Sequence, residues 1–243
     1  MNTTETKEKK PLLGILGGVG PLSSAYLYEL ITSHTPASRD QEHIDLILSS
    51  RASTPDRTAF IIGESNADPS EVLVSDAKKL VAFGATYLAI ACNTAHYFYD
   101  RIRGAVDVPV LNIMEETVKT IDRLGIRKVG LLATTGTVRV RVYQDMCEKH
   151  GIECVTPDEE NQKNVMEMIY GSVKSGKKAD PVLFGKTADS LREQGCEKII
   201  LGCTELSLIK KEEGLDTYYL DALEVLASRA IEMAGKKPMN FSF

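Results

Sequence analysis

Two of the five cysteines in this chain of 243 residues stand in matching surroundings. Cys92 lies in Tyr87–His96 (YLAIACNTAH) and Cys203 in Lys198–Ser207 (KIILGCTELS). Each follows four residues of an apolar, strand-like run and one small residue, and each precedes a polar residue and a helical stretch. A thiol at such a junction meets the unpaired amides and positive dipole end of the helix, which favour the thiolate. A thiolate is both a base and a nucleophile. A lone cysteine is more often a small core residue, but two at equivalent places in repeated units point to shared chemistry. If both face one pocket, one takes a proton from a carbon and the other supplies a proton to the opposite face. That is two-base racemisation, a form of general acid–base catalysis, in which orientation carries much of the barrier reduction. Cys147, Cys154 and Cys196 fall within a helix, a strand and a turn and read as core residues.

Other polar residues cluster around these junctions. Asn93, Thr94 and Thr204 follow the cysteines at helix starts, and Thr137 sits in the loop after the apolar run Lys128–Ala133. Their hydroxyls, amide and backbone N–H groups suit a carboxylate, and N-capping is the competing role. Arg51 follows a strand and opens a Thr/Pro-containing loop, where its planar fork suits bidentate carboxylate binding. Glu205, two residues after Cys203, either assists proton transfer or fixes the loop, and His96 reads as a structural hydrogen-bonding group. The run Gly17-Gly18-Val19-Gly20 lacks the G-x-G-x-x-G spacing of a dinucleotide site. Its glycines let backbone approach a small ligand closely.

Short apolar runs alternating with amphipathic stretches must position these residues. Strands are predicted at Leu12–Leu16, Ile44–Leu48, Tyr87–Ala91, Pro109–Leu111, Lys128–Ala133, Ile152–Val155 and Lys198–Gly202. Helices are predicted from Pro21 to about Ser33, Asp68 to Phe83, Thr94 to Ile102, Glu115 to Leu124, Val138 to His150, Asn161 to Lys174, Pro181 to Gln194 and Ala222 to Ala234. The alternation implies an α/β fold with mostly parallel, doubly wound sheets. Cys92 and Cys203 are separated by nearly the same distance as Gly14 and Gly130, so the chain reads as two similar halves. A first domain of residues 1–117, a second of 118–220, and a C-terminal segment 221–243 returning to the first are expected. Both would present strand ends to one cleft, across a pseudo-twofold, where open α/β sheets bind ligands.

Composition narrows the function further. Lys and Arg number 29 against 34 Asp and Glu, a net charge of −5. So acidic a chain has no global attraction for nucleic acid or an anionic membrane, and an anionic ligand must be met by a local group of cations. No stretch approaches the roughly 20 apolar residues of a membrane span, and Met1–Lys10 lacks the apolar core of a signal peptide. A cytoplasmic protein is expected. An odd cysteine count and the lack of any C-x-x-C argue against a disulfide framework or a zinc site.

Five motifs together resemble a known family. They are GGVGP (Gly17–Pro21), RASTPDRTAF (Arg51–Phe60), ACNTAH (Ala91–His96), LLATTGT (Leu131–Thr137) and GCTEL (Gly202–Leu206). The chain is similar, from about Pro11 to Leu226, to the cofactor-independent aspartate/glutamate racemase superfamily. Glu205 after Gly-Cys-Thr, where the glutamate branch carries His, and the GGVGP loop favour the aspartate branch. The resemblance implies an amino-acid racemase with Cys92 and Cys203 as its two bases, no cofactor, a small amino-acid substrate and a homodimer. It also places Tyr170 and Lys174 near a distal carboxylate of the substrate; Arg51, by its residue type, is expected as the second cation there. A glutamate, broader-specificity or hydantoin racemase, and a non-catalytic binder of small anions, remain as alternatives.

Overall fold

The computed structural model describes residues 10–243. The stretch 1–9, most of the polar N-terminus considered above, lies outside the described residues. The first half contains β1 (Leu12–Gly17), α1 (Pro21–His34), β2 (Asp45–Ser50), α2 (Arg57–Ile62), α3 (Ser70–Phe83), β3 (Tyr87–Ile90), α4 (Tyr99–Arg103), β4 (Val110–Leu111) and α5 (Ile113–Arg123). The second contains β5 (Lys128–Leu132), α6 (Thr135–Arg139), α7 (Val142–Lys149), β6 (Glu153–Val155), α8 (Glu159–Met166), α9 (Pro181–Glu193), β7 (Lys198–Leu201), α10 (Thr204–Glu213), β8 (Tyr219–Asp221) and α11 (Ala222–Met233). All strands pair in parallel, in the orders β2-β1-β3-β4 and β6-β5-β7-β8. The same order in both sheets is the structural form of the internal duplication.

Strand alternation divides the core into three parts. In β1 and β3, Leu13, Ile15, Tyr87 and Ala89 point one way, while Leu16, Leu88 and Ile90 point the other. In β5 and β7, Val129, Leu131 and Ile200 face the first set, while Leu132, Ile199 and Leu201 turn outward. The inward sets merge into one core shared by both halves and filled by residues of α1, α5, α7 and α11. Helix α11 lies against α1 and α5, and the Tyr87 hydroxyl donates to the Ala230 carbonyl at 3.0 Å. The segment after β8 thus binds back onto the first half. The boundary proposed at residue 117 falls inside α5, which packs on both α7 and α11.

Several local expectations are revised. Thr94–Phe98 is a 3-10 turn before the short α4, so the helix there is not continuous. The predicted Val138–His150 helix is broken into α6 and α7, with Arg141 left-handed at φ 56 between them. After α8 the chain continues as a π-helical segment, Glu167–Ser172, and a 3-10 turn, Val173–Ser175. Strand β8 and helix α2 were not anticipated. Helix α2, at six residues, is too short to carry a periodic helical signal.

Gly14 and Gly130, at the middle of β1 and β5, are matched in their packing as well as in sequence. A Cβ on Gly14 would stand 2.5 Å from Leu88 Cδ2 and 3.2 Å from the Leu80 Cβ of α3; on Gly130 it would stand 2.8 Å from Leu191 Cδ1 of α9. Helices α3 and α9 therefore sit directly on bare strand backbone. Gly14→Ala and Gly130→Ala are each expected to lower stability by ~1–3 kcal/mol through overpacking, read as a lower urea midpoint. An unchanged midpoint in both would show that the helices are not seated this closely.

Candidate active site

The two cysteines emerge on the same edge of the molecule because β3 and β7 occupy the same place in their sheets. Cys92 and Cys203 are buried, at 7% and 5% exposure. Cys203 is the N-cap residue of α10, and its carbonyl accepts from the Leu206 amide at 2.9 Å. Its thiol donates to Glu205 Oε2 at 3.0 Å, while Lys174 Nζ donates to Glu205 Oε1 at 2.6 Å. Burial first, and then the Glu205 charge, push the Cys203 thiol well above its ordinary pKa, against the opposing effect of Lys174. In the ligand-free protein Cys203 is therefore a neutral thiol. Burial and the carboxylate outweigh the helix end, which was expected to favour the thiolate. Burial works against the Lys174 charge, but Glu205, Cys203 and Cys92 together raise its pKa above the usual lysine value. One ammonium thus feels both sulfurs, and the sulfurs feel each other.

Arg57, not Arg51, is the guanidinium at the cleft. Arg51 Nη2 is bound to Asp76 at 2.8 Å, with its side chain 34% exposed. Arg57 is 7% exposed at the start of α2. Its Nη2 donates to the Val19 carbonyl at 3.2 Å and its Nη1 to the Pro55 carbonyl at 3.1 Å, leaving Nε without a partner. Burial opposes its charge, but the charges of Cys92 and Asp56 raise its pKa above the usual arginine value. Each thiol therefore has a cation from its own half: the buried Arg57 for Cys92 and the half-buried Lys174 for Cys203. The signal that could have located Arg57 is Pro55-Asp56-Arg57, since Asp56 caps α2 through the Ala59 amide at 2.8 Å and so fixes the arginine in the first turn.

The halves meet across the site through hydrogen bonds made by hydroxyl groups. Tyr170, in the π-helical segment, donates to the Asp56 carboxylate at 3.1 and 3.2 Å, and the Lys174 ammonium stands 5.3 Å above its ring. The Thr94, Thr134 and Thr137 hydroxyls form a buried triangle with edges of 3.0, 3.1 and 3.2 Å. Thr204 is buried with its hydroxyl 3.5 Å from Glu205 Oε2. Asn93 is 1% exposed and its Nδ2 has no partner. A cavity of about 370 Å³ has Gly20, Thr54, Asp56, Arg57, Lys174 and Glu205 in its wall. A Cβ on Gly20, whose φ is 120°, would stand 2.7 Å from Glu205 Oε1, so glycine lets the β1–α1 loop close over that carboxylate. Among the described residues no cluster of three or more His, Cys, Asp or Glu could hold a metal, and no helix is long and apolar enough to cross a membrane.

Such an arrangement defines a class: a two-lobed α/β enzyme with a buried thiol at the equivalent strand end of each half. The sequence profile of the Asp/Glu/Hydantoin racemase family matches residues 16–230; the chain belongs to that family and is an isomerase of the racemase kind. An aspartate racemase from Picrophilus torridus has a similar structure, with a TM-score of 0.80 and 28% identity, covering 94% of this chain and 96% of its own. A broad-specificity amino-acid racemase of Bacillus subtilis is 26% identical over 224 residues, 90% of this chain and 96% of that protein. An uncharacterized protein of Pectobacterium carotovorum is 43% identical over 126 residues, 51% of this chain and 83% of its own.

His96 has a structural role. Its Nε2 accepts the Ile113 amide at 3.1 Å, so the ring proton sits on Nδ1, which donates to the Cys92 carbonyl at 2.8 Å. The neutral ring thereby ties the end of β3 to the start of α5. Burial lowers its pKa from 6.5 to about 4. The unfolded chain takes up a proton that the folded one refuses, so stability is full above pH 6.5 and falls as pH drops toward 4. The loss is on the order of 3 kcal/mol at about 1.4 kcal/mol per pH unit. Urea unfolding from pH 7 to pH 4 is expected to lose this slope in His96→Gln. The same slope in both proteins would mean that His96 is not the group responsible.

Proposed function

We propose that the protein interconverts the enantiomers of aspartate by two-base proton transfer, without a cofactor. The observation that carries this reading is the pair of buried sulfurs at equivalent strand ends of the two sheets, with the Cys203–Glu205–Lys174 chain of hydrogen bonds at one of them. The α-carboxylate is bound by the Asn93 amide and by the hydroxyls of Thr94, Thr137 and Thr204, where donors stabilise charge that builds up as the α-proton leaves. Arg57 and Lys174 bind the side-chain carboxylate, with Tyr170 keeping Lys174 in place.

For one enantiomer the Cys92 thiolate takes the α-proton, the C–H electron pair passes into the α-carbon and its carboxylate, and the Cys203 thiol gives its proton to the opposite face. Cys92 ends as a thiol and Cys203 as a thiolate. The opposite enantiomer runs the same steps in reverse. Between turnovers in the same direction Cys92 gives its proton to water, and Glu205 relays a proton from water to the Cys203 thiolate along their 3.0 Å contact. Lys174 lies near both sulfurs and offsets the negative charge whichever of them carries it.

A second reading has support of its own. Asp56 and Glu205 line the cavity together with Arg57 and Lys174, so its charge is balanced, and a broad-specificity racemase is among the relatives. A panel of acidic, neutral and basic amino acids, each followed by loss of optical rotation, separates a racemase for aspartate from a broader one.

Cys92→Ala is expected to lose racemisation but still exchange the α-hydrogen of one enantiomer with deuterated water, and Cys203→Ala to do so for the other. Proton NMR of the α-position reads this. Full racemisation by either variant excludes the two-base mechanism. Arg57→Ala and Lys174→Met are expected to weaken aspartate by ~2–5 kcal/mol in kcat/KM, as for loss of a desolvated charge partner, while Arg51→Ala stays near wild type. Unchanged aspartate kinetics in both Arg57→Ala and Lys174→Met would remove these residues from the site.

A further inference from the structure

Asn93 follows Cys92 in the first half of the molecule, yet its side chain is gripped from the second. The Tyr143 hydroxyl, on α7, donates to Asn93 Oδ1 at 2.6 Å. Tyr143 is 0% exposed and is among the largest fully buried side chains in the protein. It belongs to the core shared by the two sheets. Burial holds the phenol proton in place far above the ordinary tyrosine range, so the hydroxyl remains a donor at any working pH. The opposite end of the amide is different. Asn93 Nδ2 is buried and no acceptor inside the protein reaches it.

The pattern is costly unless something else uses the free donor, because buried polar groups are ordinarily satisfied. A phenylalanine would fill the space of the Tyr143 ring without the hydroxyl. The next residue, Thr94, has its hydroxyl engaged with Thr134 and Thr137, so Asn93 holds the unengaged donor beside Cys92. The two ends of an asparagine amide are nearly identical in shape and opposite in hydrogen-bonding sense. Something must choose between them.

We infer that Tyr143 is a positioning residue: by occupying Asn93 Oδ1 it turns the amide NH2 toward the substrate and keeps the carbonyl away. The identity of that substrate group as a carboxylate rests on the proposed function. With the phenol removed, the amide is free to flip. A flipped amide sets a carbonyl oxygen against a carboxylate, in the position where negative charge grows during proton abstraction.

Tyr143→Phe tests this in two ways. The first uses the ligand-free protein and needs no activity. The side-chain amide signal of Asn93 is assigned in a nitrogen–proton correlation spectrum by its loss in Asn93→Asp. In wild type it is expected to be as ordered as rigid backbone, with an order parameter near ~0.85, and in Tyr143→Phe to fall below ~0.6. Wild type gives a further readout should the variant not fold: strong nuclear Overhauser contacts from the Asn93 amide protons to the Tyr143 ring would put the carbonyl in the cleft and overturn the inference. Unchanged amide order in Tyr143→Phe would overturn it too.

The second test is a cycle of aspartate racemisation rates. Tyr143→Phe is expected to lower kcat/KM by ~10–100-fold in the wild-type background, the scale of a 1.4–2.8 kcal/mol coupling, and to change nothing further in Asn93→Ala. Equal losses in both backgrounds would mean that the phenol merely supports the fold. If wild type does not racemise aspartate, the proposed function fails, and the amide measurements still decide the orientation of Asn93.

Discussion

Under the proposed two-base reaction a buried sulfur becomes an anion and needs a cation within reach, and much of this site answers that need. The interior weakly screens charge, so an unmatched thiolate there would cost several kcal/mol. Each half answers with one long basic side chain. Arg57 is locked by backbone carbonyls at the head of α2, and Lys174 is drawn onto Glu205 at 2.6 Å. Neither cation is free to swing to the surface. Glu205 then has two neighbours with opposite demands: it accepts from the thiol on one oxygen and from the ammonium on the other.

At the site each thiol's cation comes from its own half, while hydroxyl hydrogen bonds join the halves. The threonine triangle, Tyr170 on Asp56 and Tyr143 on Asn93 all cross between the two sheets. Hydroxyls suit this task because they donate and accept without a net charge to desolvate. The shared core supplies the bulk adhesion, and these contacts set the register at which strand ends and helix starts face each other.

Much of this was legible in the chain. The strand–small–Cys–polar pattern located both thiols, because a parallel strand and the helix after it leave a periodic signal in their residues. The seven long strand runs and the duplication were readable for the same reason. What escaped was set by tertiary contact. Arg51 and Arg57 lie in one short motif, and only the seat that Asp76 offers to Arg51 separates them. The neutral state of Cys203 depends on burial that no local pattern encodes. Helix α2 is one and a half turns long and depends on its Asp56 cap, and the π-helical turn that carries Tyr170 has the composition of an ordinary helix.

The duplication is faithful in strand order and unfaithful in chemistry: Cys203 has a carboxylate beside it and Cys92 a guanidinium. Mirror-image substrates have the same free energy in water, so their equilibrium constant is one whatever the catalyst. The Haldane relation then forces kcat/KM to be equal in the two directions. An uneven site cannot favour one product at equilibrium. Its asymmetry can appear only as a trade between kcat and KM, with the enantiomer that is held more tightly also turned over more slowly, by the same factor.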